Sequence, residues 1–328
     1  MEGEESIVDF GREQSGWLTK YGSFRNGIPS HDTVRRVMKL LDYEAFSECY
    51  IRWSTSVYAY TGRDIIPIDG KRICGSASEG KNGDHIVSAY SHSTHLCLGQ
   101  VSTKEKSNEI TAIPELLQLL DIKGKIVSTD AMGCQKNIAM HIIHGQGDYL
   151  LAVKDNQPKL KRNIEETIRF TKPDQTDTEE DFGHGRITGR VCSVYRNLDF
   201  IEDKDEWKNL ACLIKIDSTR YIKKNGQATS ETRFYISSAN LSASGFNAYV
   251  KAHWAIENNL HWSLDVVFNE DRCKRRTGNG ARNFNIIRKI ALSMFERDNG
   301  NLSDVSKKRR QMLALQNLTF REKLLKLF

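Results

Sequence analysis

The sequence predicts an α/β fold, and two observations carry that reading. Between Ile65 and Asn156, extended and helical patterns follow in the order three strands, helix, strand, helix, strand. Strands that alternate with helices imply parallel pairing through right-handed crossovers. Two of the short apolar runs, IIPID and GKIVSTD, end in aspartates, Asp69 and Asp130, where strand gives way to loop. In such sheets, active groups gather beyond the carboxyl ends of the strands.

The elements follow in order. Residues 1 to about 60 read as helical: Val34, Met38 and Leu41 recur behind the potential caps Ser30 and Asp32, and Tyr43, Phe46, Tyr50 and Trp53 form an aromatic stripe on the next helix. Such a stripe is core material, so this is a helical support element. HIVSAYSHSTH and LCLGQVSTK read as extended segments joined by a tight turn, EITAIPELLQLLDI as a helix, KNIAMHIIHG as a helix and DYLLAVKDN as a buried strand. PKLKRNIEETIRF is a charged helix, and the polar, acidic stretch after it, with Gly183 and Gly185, reads as a loop. RITGRVCSVYRNLDF is extended, and residues 210–238 form a hairpin turning at Asn225-Gly226. The tail after Leu292 is basic and helical.

The stretch YVKAHWAIENNLHWSLDVVFNEDRCKRR, residues 249–276, is expected to be a helix from about Ala248. It spaces His253, Glu257, His261 and Asp265 four apart, on one face. A buried polar stripe needs partners; a metal, other side chains or a nucleic acid all qualify. Clustered carboxylates repel unless a positive charge sits among them, so Asp69, Asp130 and Glu257 together would suit hard divalent cations. Taken singly, a strand-ending aspartate is more simply a turn or cap residue.

Composition narrows the class. The chain has 328 residues, 39% hydrophobic and 27% charged, with a net charge of +6. Seven Lys or Arg lie between Arg272 and Lys289 without an acid, and Lys307 to Arg310 are consecutive cations. Such concentration suits a polyanion, although a solvated basic helix also accounts for it. Seven cysteines without a C-x-x-C pair argue against a disulfide framework or a zinc finger. With no signal-peptide pattern and no apolar run of membrane-spanning length, the expectation is a soluble protein of the reducing cytoplasm.

Several blocks carry a family resemblance: PIDGK (67–71), KSNEITAIPELL (106–117), STDAMGCQKNIA (128–139), YLLAVKDNQ (149–157), FYISSA (234–239) and HWAIENNLHWSLDVVFNED (253–271). With them the chain resembles the H-repeat-associated proteins, transposase-like products of a bacterial insertion-sequence family with an Asp-Asp-Glu active site. The resemblance implies an α/β, ribonuclease-H-like mixed sheet with flanking helices. It divides the chain into a helical N-terminal element (1–60, expected to lack residues that relatives carry), a first catalytic part (61–156), a β-rich insertion (157–246), the last catalytic helix and basic segment (247–295), and a basic helical tail (296–328). Asp69, Asp130 and Glu257 are implied to be catalytic and to bind two Mg²⁺ or Mn²⁺ ions. Lys71, Lys251 and His253 beside them, and Arg275 and Arg276 directly after the helix, are expected to bind DNA. The implied partners are double-stranded DNA, as element ends and target, and a second copy of the chain. Three positions depart from the family pattern: Thr188 replaces an expected acid, Lys251 an arginine, and Leu264 a basic residue seven positions after the glutamate.

Other readings compete. A DNA-binding relic without strand transfer would keep the fold and basic face, and a domesticated nuclease would cut without transposing. His253, Glu257 and His261 could also ligate zinc, although the pattern is not H-E-x-x-H. The pairs His92/His95 and His141/His144 lack accompanying acids or cysteines and read as surface or core histidines.

Overall fold

A computed structural model describes residues 3–58, 62–80, 82–103, 109–183, 185–223, 226–297 and 305–326. The N-terminal unit holds α1 (Glu4–Glu13), α2 (Ser15–Leu18), α3 (His31–Leu40) and α4 (Tyr43–Val57). Ser30 caps α3 by accepting from Thr33 N at 3.3 Å, and Asp42 caps α4 by accepting from Ala45 N at 2.8 Å. The aromatic stripe is core, as its spacing predicts: Tyr50 is buried and donates from its hydroxyl to Cys97 O at 2.6 Å.

Next come β1 (Ile65–Arg72), β2 (His85–Tyr90), β3 (Cys97–Ser102), α5 (Glu109–Gln118), β4 (Ile126–Thr129), α6 (Lys136–His144) and β5 (Asp148–Val153). This is the order read from the sequence, and β1, β4 and β5 do pair in parallel. After α7 (Pro158–Phe170) follow β6 (Gln175–Gly183), β7 (Arg186–Tyr195), β8 (Cys212–Ile222) and β9 (Gln227–Ser237). All belong to one nine-stranded sheet ordered β3-β2-β1-β4-β5-β9-β8-β7-β6.

The β-rich stretch expected at 157–246 continues the same sheet without a break: β9 pairs antiparallel with β5, Leu151 opposite Ile236. The acidic stretch read as a loop is the edge strand β6, paired with β7 from Gln175↔Val194 to Gly183↔Arg186. Its acids had argued for a loop. On an edge strand the same charges repel edge-to-edge association, and several meet partners on the helix described next. The hairpin turn expected at Asn225-Gly226 falls partly outside the described residues; Gly226 has φ +67°.

The sheet separates two cores. On one face Ile66, Ile68, Val127 and Leu151 meet α5, α6 and α7 through Leu116, Ile138 and Leu160. On the other, Ile65, Ile126 and Leu150 meet α8 (Ala243–His253) through Phe246 and Val250. The helix begins five residues earlier than Ala248, because Ser242 accepts from Gly245 N and caps it. It then passes into a π-helical turn, Ile256–His261, and α9 (Trp262–Val266). Ile256, Leu260 and Leu264 bury this second half against Tyr50 of α4 and against Ile286 and Leu292 of α10 (Gly280–Arg297). The helices α11 (Lys307–Gln316) and α12 (Leu318–Leu325) close the chain. No helix among the described residues is long and apolar enough to cross a membrane.

Candidate active site

The β1–β4 register brings the first two acids together. Ile65 lies beside Ile126, Pro67 beside Ser128 and Ile68 beside Thr129; one step further puts Asp69 beside Asp130. Side chains alternate along a strand, so Asp69 shares the face of Ile65 and Pro67, which is the face that α8 covers. Adjacent strands lie roughly 4.8 Å apart, close enough for the two carboxylates to interact.

Each acid is held differently. Asp130 closes a turn after β4: Met132 N and Gly133 N donate to its Oδ1 at 2.9 and 3.3 Å. A Cβ on Gly133 would lie 2.5 Å from Thr129 Cβ, so the turn requires glycine. Burial raises the Asp130 pKa, and the charges of Glu109 and Asp69 add to the rise. Glu257, on the π-helical turn, faces solvent. Its pKa is raised first by burial, then by Asp69 and Asp130. Burial alone would raise Asp69 too, but His261, Gly70 N–H and the charge of His253 outweigh it and hold its carboxyl below the usual range.

The polar stripe of the helix finds protein partners. His253 Nδ1 lies 2.8 Å from Ser128 Oγ, and burial lowers the imidazole pKa to about 4. His261 Nδ1 lies 3.4 Å from Asp69 Oδ2, while its buried Nε2 has no hydrogen-bond partner among the described residues. Asp265 pairs with Lys71 Nζ at 2.7 Å. Ser128 and Asp69 thus engage the two histidines separately, which does not favour a zinc centre built from them. Among the described residues no three His, Cys, Asp or Glu side chains converge tightly enough to hold an ion as they stand. The donor set Asp69, Asp130 and Glu257 nonetheless fits hard divalent cations: all donors are carboxylate oxygens, and two of the three are destabilised by the charge a cation would relieve.

The π-helical turn has its own support. Widened turns of this kind leave the backbone ladder irregular and recur at functional sites. Lys307 reaches across from α11 and donates to Asn259 O at 3.4 Å and to Ser263 Oγ at 3.0 Å, besides pairing with Glu296 at 2.5 Å. Much of the consecutive basic run at 307–310 is therefore engaged inside the protein; Arg310 is buried and donates to Phe295 O.

The residues expected to bind DNA separate into two groups. Lys71 is only 11% exposed and is committed to Asp265, Asp271 and Glu270 at 2.7, 3.3 and 3.9 Å. His253 is turned to Ser128. Arg275 donates from Nε to Glu4 at 3.1 Å and lies over Phe284. As placed, these three are structural contacts rather than open phosphate ligands: each charge or polar group is met by a partner in the fold. Lys251 is exposed but pairs with Glu179 at 2.7 Å. Arg276 is exposed and, among the described residues, unpaired.

Two features escaped the sequence reading. One is Glu109, which lies 2.7 Å from His85 Nε2 and contributes to the rise at Asp130. A Cβ on Gly70 would come within 2.1 Å of Glu109 Oε1 and 2.3 Å of His85 Nε2, so the glycine after Asp69 makes room for this pair. Its place inside the block KSNEITAIPELL was the available signal. The other is a ladder between β6 and α8. Gln175 accepts from Ala243 N at 3.1 Å, Asp177 from Asn247 at 2.9 Å and Glu179 from Lys251 at 2.7 Å. Every second strand residue meets every fourth helix residue because the two steps nearly match, about 6.7 and 6.0 Å. The ladder holds the first half of the helix that carries Glu257.

The remaining histidine pairs make contacts within the fold. His92 and His95 sit with ring centroids 6.2 Å apart, His95 beside Tyr90 OH at 3.1 Å, and His141 bonds to Asn137 O at 2.8 Å.

The chain has recognisable relatives. Residues 55–294 match the Transposase DDE domain, and residues 1–54 match the DDE_Tnp_1-associated domain. YhhI, an H repeat-associated protein of Escherichia coli K12, is 45% identical over 312 residues, covering 90% of this chain and 81% of the relative. YncI of Escherichia coli O157:H7 is 43% identical over 328 residues, covering 97% and 83%. Among solved structures, DesVI of Streptomyces venezuelae aligns over 39% of this chain and 49% of its own, at 10% identity and a TM-score of 0.18, too slight a likeness to carry a fold assignment. A match over most of the chain, together with relatives at this identity and coverage, establishes that the chain belongs to the DDE transposase family.

Proposed function

We propose that the chain is a DNA transposase that hydrolyses phosphodiester bonds at the ends of an insertion sequence and transfers the freed strand to target DNA. Asp69, Asp130 and Glu257 are its catalytic and metal-binding residues, and the catalytic core is ribonuclease-H-like. The observation that carries the reading is the β1–β4 register, which leads Asp69 and Asp130 to neighbouring positions beneath the helix of Glu257. The strand order β3-β2-β1-β4-β5, with β2 antiparallel to its neighbours and β1, β4 and β5 parallel, supports the core assignment.

The three carboxylates would hold two Mg²⁺ or Mn²⁺ ions. When bound, such ions activate an attacking oxygen and stabilise the leaving oxygen of a phosphodiester. The chain's own residues set the stage. His261 restrains Asp69, the Met132 and Gly133 amides fix Asp130, and Lys307 steadies the turn bearing Glu257. Water attack frees a 3′-hydroxyl, which then attacks target DNA, and neither step requires a covalent enzyme intermediate. A homodimer would hold two ends together.

The test is cleavage of labelled DNA carrying the element's own ends, with Mg²⁺ or Mn²⁺, by wild type and Asp130→Ala. Metal-dependent nicking that disappears in the variant is expected. A folded wild-type protein that binds DNA but never cuts it would replace this reading with a DNA-binding relic.

A further inference from the structure

The sequence run RCKRR divides its charges between the interior and solvent. Residues 273–276 connect a short turn at Glu270–Arg272 to α10 and lie outside helix and sheet. A tight turn shapes the segment, with Arg275 N donating to Cys273 O at 2.9 Å, and burial alternates along it. Arg272, Lys274 and Arg276 are exposed, while Cys273 and Arg275 are partly buried. Arg275 forms the inner layer, with its guanidinium carbon 3.9 Å from the Phe284 ring centroid and its Nε bonded to Glu4. Among the described residues the three outer cations have no acidic partner.

This row lines one wall of a cleft of about 470 Å³. The other wall comes from the N-terminal unit, where Arg35 and Lys39 lie one helical turn apart on α3 and are both exposed. The walls are bolted together below: Asn279 N donates to Lys39 O at 3.1 Å, and Asn283 Nδ2 donates to Met38 O and Leu41 O, both at 2.9 Å. The cleft is therefore built into the fold. Of its charged lining, Glu4 is the acid, and it is already engaged by Arg275; Arg35 pairs with Asp32 at 3.0 Å and Glu5 at 3.6 Å, exposed ion pairs that are weak enough for a phosphate to replace.

We propose that this cleft is a DNA-backbone site, in which the row Arg272, Lys274 and Arg276 tracks successive phosphates of one strand while Arg35 and Lys39 close over them from the N-terminal unit. Several cations gathered along one cleft suit a polyanion better than a single phosphate group. The inference rests on DNA as the partner, as proposed above, and assigns the N-terminal unit a share in holding it. Phosphate contacts position the nucleic acid without reading its sequence, so the site is indifferent to base composition.

The experiment is the salt dependence of binding to a generic duplex in EDTA, using the full chain. Arg272→Ala/Lys274→Ala/Arg276→Ala is expected to weaken binding at least tenfold and to lower the slope of log K against log salt by about 0.9 for each phosphate left unneutralised. Arg35→Ala/Lys39→Ala, on the opposite wall, should lower it in the same sense. The substituted side chains are exposed, and an unchanged thermal transition checks that each variant folds. A wild-type slope in the triple variant, while wild type binds DNA, overturns the cleft and leaves the DNA reading intact. A wild-type slope in the α3 variant alone overturns the two-walled site. Absence of any duplex binding by wild type overturns both readings, whereas loss of cleavage with binding unchanged concerns the three acids and not the cleft.

Discussion

Two clusters of carboxylates meet strand β1, and the protein treats them in opposite ways. Asp265, Glu270 and Asp271 gather around Lys71, which contacts all three. Glu270, fully buried, also receives Asn285 at 3.0 and 3.2 Å and Arg288 at 3.2 Å. Asp69, Asp130 and Glu257 have no lysine or arginine paired with them among the described residues; their basic neighbours are the imidazoles of His261 and His253, both at Asp69. Two residues along the same face of one strand, Asp69 and Lys71, thus serve an uncompensated cluster and a compensated one. Acids that brace a structure are neutralised within the chain, whereas acids left repelling each other hold unspent affinity for a cation.

Breaking the compensated cluster should cost most. Lys71→Met leaves a buried carboxylate and two half-buried ones without their shared cation, and the expected loss is about 3–5 kcal/mol, read by chemical denaturation; Lys71→Arg should recover part of it. Next is acid sensitivity beside the uncompensated cluster. Burial holds His253 neutral with a pKa of about 4, against an ordinary 6.5. A depressed imidazole leaves stability intact above 6.5 and removes it as pH falls toward 4, by on the order of 3 kcal/mol. His253→Asn should flatten that limb of a stability-versus-pH curve. Mg²⁺ or Mn²⁺ at a hundredfold excess over its dissociation constant should stabilise wild type by about 2.7 kcal/mol, with no such gain in Asp130→Asn; equal gains would place the ion elsewhere.

The smallest effect has the opposite sign. The Asp130 pKa is raised, so its ionisation above the ordinary 3.8 works against folding. Asp130→Asn without metal should therefore raise the thermal midpoint at neutral pH by the equivalent of under about 1 kcal/mol. That advantage should vanish below the ordinary aspartate range, where both states are protonated. A destabilised variant at pH 7 would mean that the turn hydrogen bonds of Asp130 outweigh the repulsion.

Much of the fold was legible because local patterns and tertiary outcome agreed. The apolar runs of β1, β4 and β5, the cap at Ser30 and the aromatic stripe around Tyr50 all sit where their spacing predicts. The acidic stretch at 175–183 misled because edge strands and loops share a polar composition, and only the partner β7 distinguishes them. The basic run from Arg272 to Lys289 misled in a similar way. Its charges look equivalent in sequence, yet Lys289 is 1% exposed and bonds to Ser88 and Gln100, both at 2.7 Å, while Arg276 faces water. Asp130 follows the end of β4 as read, whereas Asp69, expected at a strand end, lies within β1, which pairs with β2 on to Arg72. Their electrostatic surroundings, including Glu109, depend on contacts between distant segments that no local pattern encodes.

The continuity of the sheet has a consequence for how the chain is made. Strand β5 has β4 on one side from the start, but its other neighbour, β9, lies far downstream. Synthesis runs at roughly 5–20 residues per second, so about eighty further residues leave that side of β5 open for roughly 4–16 s. During this interval an apolar strand edge is offered to any other nascent chain. In the finished sheet the outermost position passes to β6, whose carboxylates make it a poor template for another strand.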